Sequence, residues 1–177
     1  MISVNFVPGA IRSHGRVLNR GLYRFANSQA MCSQFKVDIM NGLHAFGSSV
    51  VRGGTTKDSY KMALYLASAS RGAGDTVYNT TGELAGTGNY TQGGNAVTTA
   101  TAPTLDGTTA IFTPSASVSW AALTSSGSFD AALLYNDTSA TDLAVAVFTF
   151  GAQSVTAGTF TLTMPANAAA TALIRIA

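Results

Sequence analysis

Apolar and polar residues alternate on two different periods along this chain, and the change between them divides it. Between Asn27 and Phe46, Met31, Phe35, Ile39, Leu43 and Phe46 recur at steps of four, four, four and three. That spacing gathers them on one side of a helix over about 27–46, which must be buried against something. Asn27 or Ser28 is placed to cap its start, and Gly47 to supply the left-handed residue at its end. From Ser59 onward the pattern is that of strands. Candidate strands span 60–67, 96–101, 108–113, 116–121, 129–135, 143–150, 159–164 and 171–176, each rich in Val, Ala, Thr or aromatics and bounded by Gly, Asn, Asp, Ser or Pro. In Thr159–Met164 the alternation is strict, with Phe160, Leu162 and Met164 facing in and threonines facing out.

About eight such strands predict a mainly β protein: an antiparallel β-sandwich or jelly-roll-like domain over 27–177, led by one helix. Ahead of it, residues 1–26 read as an extended N-terminal arm. Arg12, Arg16, Arg20 and Arg24 are four apart and would form one stripe on a helix. Gly15 and Gly21 interrupt it, each costing about 1 kcal/mol of helix relative to alanine, so the arm is expected to order on binding.

Charge sharpens this division. Residues 73–177 hold one cation, Arg175, against six carboxylates, a formal −5; the first 72 hold nine cations against two, a formal +7. A basic end and an acidic body invite contact between copies or with an acidic partner. Charged residues make up 10% of the 177, far below the roughly 25% of ordinary soluble domains, so neighbours are expected to cover much of the surface.

The single cysteine, Cys32, rules out an internal disulfide framework and a multi-thiolate metal site, and is expected to pack as a small apolar residue. His14 and His44 stand apart, with His44 expected as a partly exposed polar residue. No cofactor and no metal are expected. No signal-peptide pattern and no apolar run of about 18 residues occur, so neither secretion nor a membrane partner is expected.

The glycine-rich stretch 69–94 is too long for an idle connector, and it is expected to meet a neighbouring subunit, with Arg71, Glu83 and Tyr90 as candidate contact residues. Its Gly86-Thr-Gly88 lacks the Gly-Lys-Ser/Thr ending of a phosphate loop. Glu83 alone is weak ground for a hydrolase, so the chain reads as no enzyme. For the arginine stripe, an acidic protein surface is favoured over nucleic acid, because the aromatics around it form no recognition signature.

One ordered series of segments remains: 35–46, Tyr60-Lys-Met-Ala-Leu-Tyr65, Tyr78-Asn-Thr-Thr-Gly-Glu83, 86–94, Trp120, 131–136, 144–151, 158–160 and Ile174-Arg-Ile176. In order and approximate spacing, this series resembles a family of small tailed-bacteriophage virion proteins over about residues 35–177. The resemblance implies a non-enzymatic homo-oligomeric component of a virion, assembled in the host bacterial cytoplasm. A cement or decoration protein on the major capsid protein comes first, a neck or tail subunit second, and a receptor- or glycan-binding sandwich third. The arm before Asn27 is longer and more basic than that family's beginning, so its role does not carry over.

Overall fold

The structure is a computed structural model; it describes residues 2–5, 26–47, 57–85, 88–99 and 102–177, with the backbone alone for 2–5. The protein is mainly β and sandwich-like. In chain order the elements are β1 (Ile2–Asn5), β2 (Ala30–Met31), α1 (Ser33–Met40), β3 (Tyr60–Leu66), β4 (Asn95–Val97), β5 (Thr104–Asp106), β6 (Thr109–Phe112), β7 (Val118–Leu123), β8 (Phe129–Asn136), β9 (Leu143–Gln153), β10 (Gly158–Thr163) and β11 (Ile174–Ile176). They form a five-stranded sheet in the order β2-β9-β8-β3-β4 and two three-stranded sheets, β1-β10-β7 and β11-β6-β5.

Each strand expected from the sequence overlaps one observed here. β3, β8 and β9 are central because most of their residues are apolar on both faces, and Met62 to Tyr65, Ala131 to Tyr135 and Ala144 to Phe148 are buried throughout. The sheet of β7 and β10 closes over one face: Phe160 meets Phe129 edge-on at 4.9 Å and Phe150 at 5.4 Å, with Trp120 5.8 Å away. Trp120 is thus a core residue. On β10, Phe160 and Leu162 are fully buried while Thr159, Thr161 and Thr163 stay partly exposed, as the alternation requires.

Two expectations are corrected. The helix is eight residues long, Ser33–Met40, not about twenty. Met31 belongs to β2, Gly42 takes the left-handed conformation (φ 69°) just past the helix, and the chain then turns back. Phe46 still reaches the core by stacking 4.5 Å from Tyr60 and lying 4.6 Å from Phe112, whereas Leu43 remains exposed. Neither Asn27 nor Ser28 caps the helix; Cys32 occupies that position without a capping hydrogen bond, its thiol donating instead to Gly72 O (3.9 Å). The second correction concerns the arm. Ile2–Asn5 pairs in parallel with Phe160–Thr163 of β10, so these four residues of the segment read as an arm contribute a strand to the body, while 6–25 lie outside the described residues.

Candidate functional site

Segment 69–94, read as an interface loop, is a strap sewn across the main sheet. Val77 forms an antiparallel bridge with Leu143 at the start of β9; Tyr78 N donates to Asp142 O (2.8 Å), and Ala144 N to Thr76 O (3.0 Å). Six residues on, Glu83 bridges Tyr65 at the far edge of β3, where Leu66 N donates to Gly82 O (2.9 Å) and Leu84 N to Leu64 O (2.8 Å). Gly88 then bridges Leu123 on β7. Backbone groups that would lie open along the sheet edges are thereby paired within the chain.

At the centre of the strap lies Glu83, 4% exposed. Its Oε1 accepts from the Tyr90 hydroxyl (2.7 Å) and Gly93 N (2.7 Å), and its Oε2 from the Tyr78 hydroxyl (2.6 Å). Tyr90 Oη also accepts from Leu64 N (2.9 Å), which ties the carboxylate to β3. Tyr78 stacks on Tyr135 of β8 at 4.6 Å, and the Tyr135 hydroxyl donates to Gly93 O (2.7 Å). Burial, with the Glu83 charge behind it, pushes the phenols of Tyr78 and Tyr90 well above their ordinary range, so both remain neutral donors. Tyr65 and Tyr135 are raised as well, chiefly by burial.

Arg71 is also turned inward. Its guanidinium pairs with Asp75 (3.1 Å) and lies 5.0 Å over the Tyr65 ring. As contact residues for a neighbouring subunit, Arg71, Glu83 and Tyr90 are therefore corrected: all three are buried in the chain's own contacts. The sequence offered no periodic signal for this, because a lone glutamate among glycines and threonines does not show which way it faces. Arg12, Arg16, Arg20 and Arg24 lie outside the described residues.

A second polar cluster escaped the sequence reading. Asp38 and Asp58 are both 2% exposed. Asp58 Oδ2 accepts from Ala45 N (2.7 Å) and from Asn136 Nδ2 (3.0 Å), while Gln34 donates to Asp38 (2.9 Å). His44 lies 3.9 Å from Asp38, edge-on to Phe35, with its side chain buried rather than partly exposed as expected. Asn27 does similar work at the other end of the sheet: its Nδ2 donates to Leu66 O and Asp130, and its Oδ1 accepts from Arg71 N. Cys32 is buried, and its thiol is pushed up to about 12 by burial and the nearby Asp75. Such a thiol stays protonated at neutral pH.

These contacts revise the charge picture. Asp38, Asp58 and Glu83 are buried, Asp75 and Asp137 are paired with Arg71 and Lys61, and Asp130 accepts from Asn27. Of the six carboxylates in the acidic body, Glu83 is buried and Asp75, Asp106, Asp130 and Asp137 are held by partners within the chain, leaving few uncommitted charges among the described residues. The described residues contain no cluster of three or more His, Cys, Asp or Glu suited to a metal. No family model, curated protein or solved structure matches this chain.

Proposed function

We propose that this chain is a structural protein of a bacteriophage virion, foremost a capsid cement or decoration protein that ties shell subunits together. The observation that carries the reading is the surface. Most carboxylates are committed to contacts within the chain, and among the described residues what faces outward is largely Thr, Ser, Ala and Gly with isolated apolar side chains. A surface so poor in charge is weakly defended against association and suits a component held among neighbours in many copies. The segments that carry the virion-protein resemblance also fall on the scaffold: β3, the strap, β8, β9, the start of β10 and β11. A neck or tail subunit is the second reading, with the same body and fewer copies.

A glycan-binding platform draws less support. Of the aromatics that would form it, Tyr60, Tyr65, Tyr90 and Trp120 are buried and Tyr78 is stacked on Tyr135.

The arginine stripe gives the direct test. Since β1 pairs with β10, truncation would remove a strand together with the charge; replacing Arg12, Arg16, Arg20 and Arg24 by Gln removes the charge alone. The expected outcome is a folded protein with reduced occupancy on purified particles. Wild-type occupancy would remove the stripe from the binding mechanism.

A further inference from the structure

The strap bridges β9 beyond the short β2 and β3 beyond the short β4, whereas neither edge of the small sheet β11-β6-β5 has such a bridge among the described residues. Among the described residues no strand pairs with the outer edge of β11 or of β5. Between this sheet and α1 lies a cavity of about 170 Å³ lined by Ile39, His44, Phe46, Ala110, Phe112 and Ile174. Its walls are almost wholly apolar. A dry cavity of about 150 Å³ with such walls takes up benzene, so this one has room for a single aromatic ring. Phe46 already stacks on Tyr60 on one side and meets Phe112 on another, so an incoming ring would extend an existing aromatic cluster.

The surroundings indicate what would bring that ring. A second hollow of about 420 Å³, bordered by Met31, Lys36, Met40, Arg175 and Ala177, shares Ile39 and Ile176 with the first. Met40 is 86% exposed and Leu105, which shares a row with Ala110 and Ile176 across the sheet, is 73% exposed. A free small molecule would leave this apolar mouth uncovered; a peptide would cover it. The open backbone edge of β11 offers main-chain hydrogen bonds to an extended segment. Lys36 and Arg175 are the charged side chains at the mouth, and no Asp or Glu lines either hollow. That charge disfavours the chain's own arginine stripe and favours an acidic segment.

We infer that this face is a docking site for an extended segment of another protein, which adds to the edge of β11, places one aromatic side chain in the cavity and sets acidic flanks against Lys36 and Arg175. The inference goes beyond the virion reading and stands on a different part of the surface from the strap.

The probe is the blocked peptide acetyl-Asp-Thr-Phe-Thr-Asp-amide, titrated into the full 177-residue chain while backbone amide resonances are followed. Saturable shifts at Ile39, Ala110, Ile174 and Ile176 are expected. Replacing the peptide's Phe by Ala, or filling the cavity with Ala110→Phe, should weaken binding at least tenfold. Lys36→Glu with Arg175→Glu, at two exposed positions, should do the same without touching the core. No shift at these residues, or equal affinity for the Ala110→Phe chain, overturns the proposal. Shifts with toluene but not with the peptide would make this a small-molecule cavity instead. Self-association abolished by Met40→Glu would assign the face to a second copy, and would equally overturn it.

Discussion

At the scale of single residues, close backbone approach fixes which glycine the strap requires. Gly94 has φ +71°, and a Cβ there would fall inside the carbonyl group of Met62 on β3. The backbone approaches so closely because Asn95, the next residue, is already in register with Met62. Gly94→Ala should therefore cost at least about 2 kcal/mol, combining a left-handed alanine with a clash against rigid backbone. The check is the denaturant midpoint, with Gly74→Ala as control, since nothing lies within 4 Å of the Cβ position there. Equal effects at the two sites would contradict this account of the strap. The run of glycines marked this segment as irregular, but which one is sterically required depends on β3, about thirty residues earlier.

At the scale of elements, the strap behaves as one unit closed by Glu83. Glu83→Gln keeps the shape but presents an amide to phenols that need an acceptor, and should cost about 1–3 kcal/mol. Limited proteolysis should then cleave faster within 76–94, while β8 and β9 stay protected. The buried phenols predict an alkaline limit as well. Unfolded tyrosines lose their protons near pH ~10 and these lose them only at higher pH, so above that value the unfolded chain binds fewer protons. Stability is thus complete below pH ~10 and falls as pH rises beyond it. Tyrosinate absorbance should grow in together with loss of the β circular-dichroism signal; a full phenolate signal from a folded chain would contradict the buried network.

The same scale shows what the sequence could reveal. Strands longer than five residues were legible because their apolar content and turn boundaries persist over several positions. β1, β2 and β5, of four, two and three residues, carry too short a pattern to show a period and were missed. The helix was overextended for a related reason: Met31, Phe35, Ile39 and Phe46 do face one core, but Met31 reaches it from a strand and Phe46 from the returning chain. Burial was readable in that stripe; the path of the backbone was not. Nor were the roles of Asn27, Asp58 and Asn136, which bond across tens of residues to partners that no local pattern announces.

For the whole molecule, formal charge was a poor guide to surface. The opposed +7 and −5 halves suggested a basic arm seeking an acidic body, yet the body uses its carboxylates as acceptors for tyrosines, backbone amides, Arg71 and Lys61. What remains, among the described residues, is a low-charge block whose main sheet is bridged by the strap at β9 and β3 and whose small sheet is unpaired at both edges. Such a body gains by being surrounded, which is the physical content of the virion proposal. Quantitative mass spectrometry of purified particles, giving copies of this chain relative to the major capsid protein, tests it most directly. The cement reading predicts hundreds of copies per particle; about six, twelve or a few dozen would move the protein to the neck or tail, and its absence from particles would contradict the account.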